Sequence, residues 1–261
     1  VEEGYAPGFG ADAIAMLSAR DAADRAGFLI DSLDGSRNYR IVDLGCGPGA
    51  MTVGLGQALP TSQVLGIDSD RSQVTDALQA AQQLGITNVD FRAASAYDLP
   101  LAEHTVDVVF AHALFGHLSE PKLALAEAMR ILRPGGTLAV STSDWSRAKF
   151  RPKTVNVDAA MRGHYILRQR AGGDPFAGRR IADHVQHAGF TAVTSKVAHR
   201  ADLGYTELAN YVETRLAAAL AEPDGHDLQL ASAARSAAAW AGSGRGDVKQ
   251  CWVEVLAIAP A

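Results

Sequence analysis

IVDLGCGPGAMT, residues 41–52, sets three glycines within five positions directly behind a short apolar run that carries Asp43. Glycine at the end of a buried strand costs backbone entropy, so the sequence must gain something from it. Either a tight strand-to-helix turn needs the glycines for geometry, or a ligand has to come close to the backbone.

The flanking sequence supplies the frame. YRIVDL (39–44) reads as a strand and AMTVGLGQAL (50–59) as a helix. SQVLGID (62–68) is a second strand, followed by a helix over 71–85. NVDFRAA (88–94) and TVDVVFAH (105–112) are strands three and four. PKLALAEAMRIL (121–132) is a helix stopped by Arg133-Pro134-Gly135-Gly136, and TLAVSTS (137–143) is strand five. Strands alternating with helices of about 10–15 residues predict βαβ units and a doubly wound α/β sheet. FTAVTSKVAH (190–199) and KQCWVEVLAIA (249–259) alternate as two further strands, giving seven in a mostly parallel, Rossmann-like sheet.

Outside this alternation, residues 11–33 carry apolar residues at helical spacing, 144–177 read as a loop-rich connection, and 178–189 as a helix. Residues 205–241 read as two Ala-rich helices. The expected layout is one domain over 1–261. It has an N-terminal helical cover (1–37), a ligand-binding core (38–143) and two substrate-lid segments (144–177 and 200–248). Ligands of open α/β sheets bind beyond the carboxyl ends of the strands, which is where such segments would lie.

Composition excludes several classes. The 261 residues are 48% hydrophobic and 20% charged, with a net charge of −5, so there is no basic footprint for nucleic acid. No stretch approaches the roughly 20 apolar residues that span a bilayer, and VEEGYAPGFG is acidic rather than signal-like. Cys46 and Cys251 have neither disulfide-framework nor metal spacing. A cytoplasmic protein, monomeric or homodimeric, with no membrane or nucleic-acid partner and no metal, is the expectation.

The glycine spacing is G-x-G-x-G at Gly45, Gly47 and Gly49, against the G-x-G-x-x-G of dinucleotide sites. Asp68 ends the second strand 23 positions after Gly45, placed to accept from a ribose diol. That acid suits a nicotinamide site and an adenosyl site alike.

IVDLGCGPG, VLGIDSD, AASAYDLPL, VDVVFAHALFGHL and ALAEAMRILRPGGTLAV stand in the order and spacing of a known family. The chain resembles class I S-adenosylmethionine-dependent methyltransferases. It is most similar to the small-molecule branch related to ubiquinone and menaquinone biosynthesis, strongly over 38–143 and more weakly at either end. The resemblance implies S-adenosyl-L-methionine as cofactor, S-adenosyl-L-homocysteine as product, and methyl transfer to O, N or C of a small acceptor, plausibly a secondary metabolite such as an antibiotic precursor. It implies that Gly45–Gly49 lies under the methionine moiety. Asp43 would orient that turn or meet the cofactor ammonium through water. Asp68 would take the ribose hydroxyls and Ser69 would lie against adenine. Ser95 replaces the family's usual acid toward the adenine amino group, Ala96 would offer its N–H to the ring, and Tyr97 would lie alongside. Ala111 would offer its carbonyl to the ammonium. Arg20 matches an arginine for the cofactor carboxylate, and Tyr5 a tyrosine that folds over the site.

Methyl transfer from a sulfonium is an in-line displacement that positioning and desolvation can accelerate without a base. A hydroxyl acceptor would still gain from a base of near-neutral pKa. The candidates are His112 and His117 after strand four, Asp144 after strand five, and Tyr5. Two have a structural alternative, a locally bonded histidine for His117 and a strand-end turn for Asp144; for His112 the question is whether it faces the substrate cavity. His164, Tyr165 and Trp240 read as lid lining or core. Two rival functions stay open on sequence: a protein that binds the cofactor with lost or repurposed transfer, and a nicotinamide-dependent oxidoreductase, which the glycine spacing disfavours.

Overall fold

The computed structural model describes residues 22–201, 203–222 and 227–261. Five parallel strands form the heart of the sheet: β1 (Arg40–Leu44), β2 (Gln63–Asp68), β3 (Val89–Ala93), β4 (Val106–His112) and β5 (Leu132–Ser143). Their order is β3-β2-β1-β4-β5. β1 and β4 are central and covered on both faces, so Ile41–Leu44 and Val108–His112 are buried without a break.

Three more strands complete the sheet. β8 (Asp247–Ile258) runs antiparallel to β5, and β7 (Thr191–Arg200) pairs antiparallel with the other side of β8. The eighth, β6 (Lys149–Arg151), is a three-residue strand on the start of β8. The sheet is therefore mostly parallel as expected, with one strand more than sequence periodicity gave. Three residues are too few to show an alternation.

Helices cover both faces. On one lie α1 (Ala22–Arg25), α2 (Gly27–Ile30), α3 (Ala50–Ala58) and α4 (Arg71–Gln83), and on the other α5 (Pro121–Ile131) and α7 (Ile181–His187). Two of them begin at recognisable start signals. Asp70 caps α4 by accepting from the Ser72 and Gln73 amides, and α5 opens on Pro121, whose missing N–H is no loss in a first turn. The helix expected over 11–33 is broken in its described part: Ala26 leaves helical geometry at ψ 2°, between α1 and α2 and just before Gly27. α1 comes very close to α3 because position 54 is glycine. A Cβ there would lie 2.3 Å from that of Ala22.

Residues 144–177 are not the loop-rich connection expected from the sequence. They contain a 16-residue helix, α6 (Val155–Arg170), with Thr154 as its N-cap. Its buried positions Val157, Ala160, Met161 and His164 follow helical spacing, but polar and Arg-rich neighbours mask it in the sequence. α8 (Tyr205–Ala221) and α9 (Leu228–Ala241) appear as the two expected Ala-rich helices. They pack with α6 into a second core around Leu208, Val212, Leu216 and Trp240. Among the described residues no helix is long and apolar enough to cross a membrane.

Candidate active site

Because β1 to β5 are parallel, their carboxyl ends share one edge, and the glycine turn lies on it. Gly45, Gly47 and Gly49 all adopt left-handed backbone, with φ of 74°, 52° and 85°. The turn is pinned to the next strand: the Gly45 and Cys46 amides donate to the Ile67 carbonyl at 2.7 and 3.0 Å. Gly49 then caps α3.

The glycines differ in what surrounds them. A Cβ at Gly45 would lie 2.8 Å from Leu114, and one at Gly49 would lie 2.7 Å from Ala77 and 3.0 Å from Phe91. Those two are glycine because the fold leaves no room. A Cβ at Gly47 would meet nothing among the described residues nearer than Gln73 Oε1 at 4.0 Å. Crowding by the described residues therefore explains the glycine at positions 45 and 49 but not at 47.

Asp68, at the end of β2, accepts from the Gly47 amide through Oδ2 at 2.8 Å and from the Asp70 amide through Oδ1 at 3.0 Å. A carboxylate has about four acceptor positions, so capacity remains for a ligand hydroxyl. Burial raises its pKa, against the pull of those amides. Asp43 is fully enclosed and accepts from Thr52 Oγ1 at 2.6 Å, which ties β1 to the first turn of α3. Burial pushes its pKa up to about 7; the Thr52 hydroxyl opposes the rise and the nearby Asp68 charge adds to it. Burial also lifts the Cys46 thiol well above its usual range.

Sequence reasoning missed Gln73. It is 1% exposed, lies beside Gly47, and its Oε1 has no hydrogen-bond partner among the described residues. A buried carbonyl oxygen left without a donor is costly, and a ligand N–H or O–H over Gly47 would relieve it. The signal was present as a polar residue on the apolar stripe of α4, between Asp70 and Val74.

Several of the remaining candidates lie at or just after the carboxyl ends of β2 to β5. Ser69 is exposed after β2. In the loop after β3, Ser95 Oγ accepts from the Tyr97 amide at 3.1 Å, Ala96 is half-buried, and Tyr97 Oη accepts from the Glu120 amide at 3.2 Å. Ala111 and His112 are buried at the end of β4, where Ala113 is forced to a φ of 62°. The His112 ring stacks on Trp252 at 4.7 Å between centroids. His117 stands apart, its Nε2 3.3 Å from the Arg168 guanidinium of α6. Asp144 is fully buried, caps the turn Trp145–Arg147, and lies 3.7 Å from Arg179. His164 is enclosed by α6, α8 and the start of the lid segment, and burial drives its pKa down to about 3. Trp240 is part of the core of the helical cluster. Tyr5 and Arg20 lie outside the described residues. Among the described residues no three His, Cys, Asp or Glu side chains are grouped to hold a metal ion.

A family model for the methyltransferase domain matches residues 35–187, more than half of the chain. The chain belongs to the methyltransferase domain family. This methyltransferase-family chain is 33% identical to an uncharacterized methyltransferase of Schizosaccharomyces pombe, over 54% of this chain and 53% of that one. It is 40% identical to a trans-aconitate 2-methyltransferase of Azoarcus, over 38% of this chain and 37% of the relative. The chain thus spans about half the length, or less, of the curated relatives it matches. Among solved structures, the YcgJ protein of Bacillus subtilis superposes with a TM-score of 0.63 at 15% identity, covering 91% of this chain and 99% of that one. At that identity the likeness concerns the fold alone.

Proposed function

We propose that this methyltransferase-family protein moves a methyl group from S-adenosyl-L-methionine to a small-molecule acceptor, releasing S-adenosyl-L-homocysteine. The observation that carries the reading is the space over Gly47 that the described residues leave open, between a carboxylate at Asp68 and the amide oxygen of Gln73, unpartnered among the described residues. A cofactor with a ribose diol and an ammonium supplies donors for the acceptor capacity that Asp68 keeps beyond its two amides and for the Gln73 oxygen. When bound, it supplies an electrophilic methyl on a positively charged sulfur.

The chain's own residues bind and orient. Asp68 takes the ribose hydroxyls while holding the Gly47 amide. Ser69, Ser95, Ala96 and Tyr97, from the loops after β2 and β3, surround the adenine. The Ala111 carbonyl faces the ammonium from the end of β4. Asp43, hydrogen-bonded to Thr52, fixes the turn from below rather than touching the ligand. The described parts of the lid segments, 144–177, 200–201, 203–222 and 227–248, enclose the acceptor and keep water out; of the cover expected over 1–37, residues 1–21 lie outside the described residues.

His112 stands where the acceptor meets the transferred methyl. It removes the acceptor proton as the new bond to carbon forms and the carbon–sulfur bond breaks. If so, His112→Ala lowers kcat by about 10²–10⁴ and leaves cofactor affinity within a factor of two. A kcat within about threefold of the parent, at a pH where the acceptor is protonated, removes the base from this account.

A further inference from the structure

One face of the sheet changes character at a single rung. Phe110 on β4, Ala139 on β5 and Leu256 on β8 are register partners and form an apolar row under α1 to α3. The next same-face row toward the carboxyl edge is His112, Ser141 and Glu254, again register partners on adjacent strands. They are 5%, 2% and 5% exposed. Beyond them the row Ser143 and Trp252 follows, with Trp252 stacked on His112. Three polar side chains side by side in a covered sheet face oppose the burial that the neighbouring rung favours.

The charges around this rung already balance among the described residues. Glu254 Oε1 accepts from Arg200 Nη2 at 2.6 Å, and the other end of Arg200 pairs with Asp24 of α1. Arg25 Nε lies 3.4 Å from Asp24, and its guanidinium lies 5.1 Å over the Trp252 ring. Two guanidinium groups meet two carboxylates. Lys196, the register partner of Glu254 on β7, is exposed to solvent. A carboxylate brought to the rung would face Glu254 with both of these guanidinium groups already paired with carboxylates. A neutral hydroxyl would find a hydroxyl at Ser141 and a carboxylate oxygen at Glu254.

We infer that the rung His112–Ser141–Glu254 is the acceptor-binding subsite and that it selects a neutral hydroxyl, phenolic or alcoholic, over a carboxylate. This rests on the methyl-transfer reading for the place of His112, and it goes further by naming the acceptor class. Glu254 is the specificity-determining residue and Ser141 the neutral hydrogen-bonding one.

The test reads binding rather than turnover. The chain has three tryptophans, so its indole N–H resonances are few, and Trp252→Phe identifies the one beside the rung. In protein saturated with S-adenosylhomocysteine at pH 7, catechol should shift the Trp252 indole resonance saturably. Trans-aconitate should need at least tenfold more ligand for the same shift. Glu254→Gln should bring the two probes within about threefold of each other. Ser141→Ala should weaken catechol about threefold to tenfold, the range of one neutral hydrogen bond, without improving trans-aconitate. The inference is overturned if trans-aconitate acts at equal or lower concentration than catechol, if neither probe moves the resonance, or if Glu254→Gln leaves their ratio unchanged. Catechol that binds at the rung yet never receives labelled methyl would count against the methyl-transfer reading alone. Methyl transfer to trans-aconitate with catechol inert would count against this inference alone.

Discussion

Replacing Gly47 and Gly49 separately by alanine should divide the two duties of the glycine turn. Both positions are left-handed, so each substitution costs about 1–2 kcal/mol of backbone strain. At Gly49 the new Cβ also lands 2.7 Å from Ala77 and 3.0 Å from Phe91, inside a packed core. Overpacking of that kind adds about 1–3 kcal/mol, so Gly49→Ala should lose about 2–5 kcal/mol in all. At Gly47 the nearest atom is 4.0 Å away and nothing is added. The methyl of Gly47→Ala instead occupies space assigned to the cofactor. Urea unfolding measures the first quantity and calorimetry with S-adenosylhomocysteine the second. Gly47→Ala should stay within about 2 kcal/mol of the parent in stability yet bind at least tenfold more weakly, about 1.4 kcal/mol. Gly49→Ala should show the larger stability loss. Unchanged affinity in Gly47→Ala, or a stability loss equal to that of Gly49→Ala, refutes the division.

Asp68→Ala should weaken cofactor binding by about 1.5–3 kcal/mol, the range for hydrogen bonds to a charged group, and Gln73→Leu by a smaller amount in the same calorimetric series. Equal affinity in both variants would remove them from the site. Asp43 binds its proton more tightly folded than unfolded, with a pKa of about 7 against 3.8. Between those values the native state holds the extra proton, so stability falls as pH rises from about 4 to about 7, by at most about 4 kcal/mol from this group. Asp43→Asn should flatten that slope in urea titrations across the window, and an identical slope would contradict the burial of the carboxyl.

The α/β core was legible because parallel strands covered on both faces read as unbroken apolar runs, and Asp70, Pro121 and Gly49 mark helix starts. β6 is too short to show a period. α6 went unread because Arg162, Gln169 and Arg170 dilute an apolar stripe that only its packing against α8 and α9 reveals. Within the site, the glycine spacing could be read by pattern because each position adopts left-handed backbone, and Asp68 because it ends β2. Gln73 showed in the sequence only as a polar residue on the apolar stripe of α4, because its burial beside Gly47 with no donor among the described residues emerges only in the fold. The rung of His112, Ser141 and Glu254 was equally hidden. Its members are 29 and 113 positions apart along the chain, and strand register alone makes them neighbours.

Calorimetric titration of the protein with S-adenosylmethionine and, separately, with NAD tests the central claim most directly. The account predicts a single saturable site of micromolar affinity for S-adenosylmethionine, lost in Gly47→Val, and no heat of binding with NAD. Tight binding of NAD with none for S-adenosylmethionine would contradict it.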